Sequence, residues 1–207
     1  MPPLTSLTAI QLLDAFASNE PLPAGGSAAA MVGAIGTSLL LMVATLPRTR
    51  SGAAEETAVL ASAAVRLRPV RDELAALVER DSESYAALLA AIRAPHATED
   101  ERSRRHEEIL AATRIATEVP LATMRASATA LQTALVIAEN GSRAASGDVA
   151  AAIELLLGAV RAAGRSVAAN LAALKDAEYV HRLDVERRRL EMDSETEVER
   201  VRDALVD

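Results

Sequence analysis

The chain has no cysteine and no tryptophan, and Phe16, Tyr85 and Tyr179 are its only aromatic side chains among 207 residues. Without cysteine there is no disulfide, thiolate nucleophile or zinc–thiolate centre, a composition that fits a cytoplasmic protein. Without an aromatic stacking platform, and with a net charge of −7, nucleic acid is a poor partner. Clusters of β-branched and aromatic residues with period-two alternation are also missing, so sheets are not expected. His96, His106 and His181 lie far apart and none has a partner three or four residues away, so no metal site is expected. No strand–turn–helix nucleophile elbow is present. Met1 to Glu20 has no basic start and carries Asp14 and Glu20, unlike a secretory leader.

What remains is alanine, leucine and valine at helical spacing: half of the residues are hydrophobic. The most informative stretch is Pro21-Leu22-Pro23-Ala24-Gly25-Gly26-Ser27-Ala28-Ala29-Ala30. Its prolines hold the chain extended, Gly25 and Gly26 permit positive φ, and Ser27 is expected to cap a helix. Backbone N–H groups left free at that helix mouth suit an anion or a polar ligand edge. Residues 28–46 carry no charge and predict a helix buried on nearly every side. The length approaches a membrane span, but Gly33, Gly36, Thr37 and Ser38 weaken the hydropathy and no aromatic belt marks the ends. Gly25, Ala29, Gly33 and Gly36 instead suggest close approach of another helix.

The predicted architecture is all-α, a bundle of long, kinked helices in one domain spanning 1–207. Thr5 or Ser6 opens a short helix with Leu7, Ile10, Leu13 and Phe16 on one side. The buried helix covers 27–46 and stops at Pro47. A third helix runs from Ser51-Gly52 to about Arg80, kinked at Pro69, and Asp81 begins the next stretch. Thr98 is a good N-cap for a helix from Glu99 to Glu139. Pro120 lies inside that helix and deprives the Ala116 carbonyl of its usual partner. Asn140-Gly141-Ser142 signals a turn, Ser146 or Asp148 opens another helix, and a charged helix covers about 178–206 as a surface or partner-facing arm. Alanine-rich faces suggest a homodimer.

Three polar residues in apolar settings are candidates for chemistry. Asp81 follows Leu74, Leu77 and Val78 and precedes Tyr85. It is either a helix cap or a carboxylate facing a cavity, able to hold a protonated nitrogen or move a proton; first-turn acids being common, the cap is the commoner reading. Asp148 carries the same ambiguity. Asn170, among Val167, Ala168, Ala169 and Leu171, must find hydrogen-bond partners if it faces inward.

With these positions in order, the chain resembles the cyclodeaminase/cyclohydrolase family of folate enzymes over nearly its whole length. Residues 21–30 resemble the family's Pro-x-Pro-Gly-Gly-Gly-Ser-Ala-Ala-Ala signature. Asp81 to Tyr85 resembles its Asp-x-x-Ala-Tyr/Phe segment, Arg93-Ala94-Pro95 its Arg-Leu-Pro loop, and Val119-Pro120-Leu121 its Val-Pro-Leu. Asp148 falls at the aspartate after the Gly-Asn loop, and Asn170-Leu171 with Leu174-Lys175-Asp176 at the Asn-Leu…Leu-x-Asp ending.

The resemblance implies an all-helical homodimer acting on the one-carbon bridge of a tetrahydrofolate derivative, with no covalently bound cofactor and no membrane partner. The reaction is hydrolysis of 5,10-methenyltetrahydrofolate to 10-formyltetrahydrofolate, or cyclisation of 5-formiminotetrahydrofolate with loss of ammonia. No transferase domain accompanies this chain, which favours the hydrolysis. Asp81 is then the catalytic carboxylate, and Gly25, Gly26, Ser27, Tyr85, Asp148 and Asn170 are ligand contacts. The chain departs from the family at Ala24, where a glycine is usual, and at Leu46 to Ser51, which has Arg48 and Arg50 and no lysine or tyrosine. Ser142, Ala144 and Ser166 stand where asparagines are usual. Those departures keep open a diverged member with a non-folate ligand, and a non-enzymatic helical interaction protein.

Overall fold

A computed structural model describes residues 3–206. Among these residues there are six α-helices and no strand: α1 Ala9–Ala17, α2 Gly25–Ala44, α3 Ala54–Arg93, α4 Glu99–Asn140, α5 Ser146–Leu171 and α6 Ala177–Val206. Two single 3-10 turns, at Leu4–Ser6 and Arg143–Ala145, complete the described chain. The all-α expectation holds.

Helix α2 is the axis of the bundle. Its C-terminal half (Leu40, Val43, Ala44) packs with Leu60–Leu67 of α3, Ala130–Ala138 of α4 and Val149–Leu157 of α5. Its N-terminal half meets Leu74–Val78 in the middle of α3, Val119–Met124 in the middle of α4 and Val160–Leu171 at the C-terminal end of α5. The four helices therefore alternate in direction, and α6 lies across α4 and α5 with Leu183, Val198 and Val201 buried. The sparse apolar stripe read along 178–206 faces the bundle.

Close packing explains two glycines of α2. A Cβ on Gly36 would stand 3.0 Å from the Ala152 carbonyl oxygen, and one on Gly33 2.9 Å from Ser127 Oγ. A Cβ on Gly25 meets nothing within 4 Å, so helix approach within the chain does not account for that position. Both α2 and α4 are long and apolar enough to cross a membrane by length and composition. The relevant windows are 56% and 67% buried by the chain itself, so neighbouring helices already cover much of that apolar surface.

Several local expectations need correction. Helix α2 begins at Gly25, with Gly25 and Gly26 in helical conformation; the single positive-φ glycine is Gly52. Ser27 is the third residue of α2 and does not cap it. Helix α1 starts after Thr8, whose capping box with Gln11 fixes it, and it buries no residue: Ile10 and Leu13 are 68% and 64% exposed. Most consequential, α3 does not end near Arg80. It runs through Pro69 to Arg93, so Asp81 is an interior helical residue and not an N-cap. At Thr98 the expected cap is present, with Thr98 Oγ1 accepting from the Glu101 N–H and Glu101 accepting from the Thr98 N–H.

Pro120 sits in the middle of α4. It donates nothing to the Ala116 carbonyl, and Asn170 of α5 supplies the missing donor, its Nδ2 lying 2.7 Å from the Ala116 oxygen. A backbone defect in one helix thus selects a side chain on another. Replacing Asn170 by alanine leaves that carbonyl orphaned and should cost about 1–3 kcal/mol. In a Pro120→Ala background the helix satisfies its own carbonyl and the same replacement should cost less. Chemical unfolding of the four proteins measures the coupling; equal costs in both backgrounds exclude it.

Candidate active site

At the N-terminal mouth of α2 lies a cleft of about 240 Å³, lined by Ala24, Gly25, Gly26, Asp81, Ser84, Tyr85, Ala116, Ser166, Ala169 and Asn170. Four helices contribute to it. Tyr85 and Ser84 stand one turn beyond Asp81 on α3, and Ser166 one turn before Asn170 on α5, so two helical repeats deliver most of the polar lining.

The Asp81 carboxylate is 8% exposed. It accepts a hydrogen bond from Ser27 Oγ at 2.9 Å and another from the Ser27 backbone N–H. Ala24, at the N-cap of α2, has no side chain able to cap, so a carboxylate from a different helix takes that role at the positive end of the α2 dipole. Gly26 makes the approach possible: a Cβ there would lie 2.5 Å from Asp81 Cγ and collide with Oδ1 as well. Burial nevertheless dominates and pushes the Asp81 carboxyl above the ordinary aspartate value, the two Ser27 hydrogen bonds opposing that shift. No arginine or lysine pairs with it among the salt bridges of the described residues.

The cap reading of Asp81 is thus wrong in its local form and right in its chemistry, since Asp81 caps α2 across the bundle. The substitution of Ala24 for glycine does not reshape the turn: Ala24 has φ −114° and ψ −175°, extended backbone open to any residue. Gly25, Gly26, Tyr85 and Asn170 line the cleft with Asp81, and Ser27 holds it. Asp148 is elsewhere, in the first turn of α5 at the opposite end of the bundle. With one of its two amide N–H groups committed to Ala116, Asn170 has the other N–H and the side-chain oxygen left for a bound molecule. Ser84 and the Ala116 carbonyl were not picked out as cleft residues. Their signals were the i,i+3 spacing from Asp81 and the donor lost at Pro120. Among the described residues no group of three or more His, Asp or Glu is placed to hold a metal ion.

A buried carboxylate, a nearby phenol, an amide oxygen and helix-mouth N–H groups form a site that can stabilise a cation and move one proton. Residues 8–189 match the profile of the formiminotransferase-cyclodeaminase family. The chain belongs to that family. It is 32% identical over 164 residues to the methenyltetrahydrofolate cyclohydrolase of Methylorubrum extorquens, an alignment covering 79% of each protein. It is 27% identical over 166 residues to the formimidoyltransferase-cyclodeaminase of Gallus gallus; the matched region is 80% of this chain and 30% of that longer protein. The fold is also that of the formiminotetrahydrofolate cyclodeaminase from Thermotoga maritima, with a TM-score of 0.86 and 22% identity over 97% of this chain and 96% of that one.

Two substitutions separate the parts of this site. Gly26→Ala should expel the Asp81 carboxylate from the helix mouth, abolishing any reaction that depends on it while leaving the helical circular dichroism intact. Ser27→Ala removes a donor to the charged form, so the Asp81 pKa should rise further and the acid limb of activity should move to higher pH. A pH–rate profile unchanged by Ser27→Ala would mean that Asp81 does not govern that limb.

Proposed function

We propose that the chain is a folate one-carbon enzyme that hydrolyses 5,10-methenyltetrahydrofolate to 10-formyltetrahydrofolate, acting as a homodimer with Asp81 as its catalytic carboxylate. The observation that carries this reading is the lone buried carboxylate at the cleft, raised in pKa and held by Ser27 with no cationic partner. The methenyl bridge is a delocalised N–C–N cation, the charge such a site lacks. Support for the choice of substrate comes from the relative in Methylorubrum extorquens, matched over 79% of both proteins.

In this reading the folate ring enters the cleft with its one-carbon bridge beside Asp81. Water adds to the bridging carbon and gives a proton to the Asp81 carboxylate as the C–O bond forms. The tetrahedral carbinolamine then collapses: the C–N5 bond breaks, N5 takes the proton held by Asp81, and the hydroxyl releases its proton to solvent as the formyl C=O forms. The balance is one water consumed and one proton released. Asn170 Oδ1 and the Tyr85 hydroxyl orient the ring, and the N–H groups of Gly25 and Gly26 face its polar edge. Cyclisation of 5-formiminotetrahydrofolate passes through a related tetrahedral species with ammonia as leaving group, and the same residues serve it. The relative from Gallus gallus keeps this second reading in view.

The deciding experiment is the loss of the ultraviolet absorbance of 5,10-methenyltetrahydrofolate with wild-type protein, Asp81→Asn and buffer. Wild type should accelerate the decay, and Asp81→Asn should lower the rate at least about 10²-fold, the scale of a lost general base. The rate should rise with pH through an apparent pKa above the usual aspartate value, because the ionised form takes the proton from water. Stability should run the other way. A raised native pKa means the folded state holds the proton more tightly than the unfolded chain, so folding weakens as pH rises through that interval. Asp81→Asn should therefore melt no lower than wild type at neutral pH. An inactive variant that also unfolds, or a wild type no faster than buffer, would count against Asp81 as a site residue or against this substrate.

A further inference from the structure

Two serine hydroxyls spend their protons on Asp81, each on a different part of it. Ser27 Oγ donates to the carboxylate at 2.9 Å, and Ser84 Oγ donates to the Asp81 backbone carbonyl at 2.9 Å. Toward the cleft the two differ. Ser84 lines it beside Asp81, and at 7% exposure has little other access to solvent. With its only proton committed, Ser84 meets a molecule in the cleft as an acceptor. Ionised Asp81 is an acceptor too. Of its roughly four lone-pair sites, Ser27 takes two, one with its hydroxyl and one with its backbone N–H. Two acceptors with no proton to give therefore stand on one face of α3, a single helical turn apart.

That pairing suits one small molecule. A water that donates both of its protons, each over an oxygen–oxygen distance of about 2.8 Å, bridges acceptors roughly 4.5 Å apart. Side chains at i and i+3 of a helix set out from Cβ atoms ~5–6 Å apart, so a single water spans Asp81 and Ser84. Held by both protons, the water keeps its lone pairs turned outward and has lost the rotation that would turn them away. A hydrogen-bond donor in the place of Ser84 would draw on one of those lone pairs and leave a poorer nucleophile.

We infer that Ser84, together with Asp81, holds the attacking water, and that it is a residue of the hydrolytic reaction in particular. This rests on the hydrolysis proposed above and says where its water sits. One O–H of the water lies on the Asp81 carboxylate and the other on Ser84 Oγ. The oxygen lone pair becomes the new bond to the bridging carbon as the C–N π pair withdraws onto nitrogen. The first proton passes to Asp81. The second stays on the carbinolamine hydroxyl, held by Ser84 until the formyl group forms and the proton leaves to solvent. The Ser84 proton itself never moves from the Asp81 carbonyl. Cyclisation of the formimino compound consumes no water and has no use for this acceptor, so Ser84 serves one of the two reactions that the cleft chemistry allows.

The test separates the hydroxyl from the shape of the side chain. Ser84→Thr keeps the hydroxyl and Ser84→Val replaces it by a methyl group of the same outline, so any cost of crowding this buried position falls on both. With 5,10-methenyltetrahydrofolate the threonine variant should turn over at least about tenfold faster than the valine variant, within the ~10²-fold that misplacing a reacting group costs. The two should share one KM, because water and not the folate touches residue 84. Ser84→Ala, which crowds nothing, should fall below wild type as the valine variant does. Adding Asp81→Asn to Ser84→Val should slow the reaction no further than Asp81→Asn alone, since both residues act on the same water. A valine variant within about twofold of the threonine variant, or a loss confined to KM, overturns the role of Ser84 and leaves Asp81 and the substrate standing. So do an alanine variant at the wild-type rate and additive losses in the double variant. A wild type no faster than buffer rejects the hydrolysis itself, and the held water with it.

Discussion

Everything at the mouth of α2 depends on a carboxylate from α3 reaching the first turn of a helix that cannot cap itself. Ala24 offers no side-chain acceptor, so the orphan N–H groups of α2 need one from outside the helix. Asp81 provides it through Ser27, and Gly26 leaves the room. The contact ties the C-terminal half of the 40-residue α3 to the start of α2, which fixes how the two helices slide past each other. It also places an ionisable group where burial works against its charge and only two hydrogen bonds work for it. Structure and reactivity come from the same tension. A cation of α3 or α5 beside Asp81 would relieve it, and no ion pair among the described residues supplies one.

The same exchange of backbone and side-chain partners recurs at Pro120. The proline frees a carbonyl on α4, and the carbonyl holds Asn170 of α5 at a distance and angle that a solvent-facing asparagine would not keep. Two helices that share no turn are thereby registered by one hydrogen bond, and the amide oxygen is left aimed at the cleft. Asp81 and Asn170 are both pinned by backbone groups of neighbouring helices, which limits their rotamers before any ligand arrives. Preorganisation of this kind lowers the cost of aligning substrate with catalytic groups.

How much of this could be read beforehand varied with the range of the interaction. Helical periodicity and the absence of strand patterns were enough for the all-α class, and local chemistry was enough for the Thr98 N-cap and the turn at Asn140-Gly141. The orphaned carbonyl of Ala116 was visible from Pro120 alone, and the need of Asn170 for a partner from its apolar neighbours. That each answers the other was not visible, because 54 residues separate them and nothing local encodes the pairing. Asp81 failed for the opposite reason. An aspartate after an apolar run followed by serine has the local signature of a helix start, and the packing of α3 along the full length of α2 overrode it. Ser27 was misjudged by the same logic: the serine that looks like a cap is the hydroxyl that holds one.

The position of Asp148 remains the sharpest disagreement between the sequence pattern and the single chain. The resemblance made Asp148 a ligand contact beside Asp81 and Asn170, yet it sits in the first turn of α5, at the far end of the helix that carries Asn170. Within one antiparallel bundle nothing short of unfolding brings those ends together.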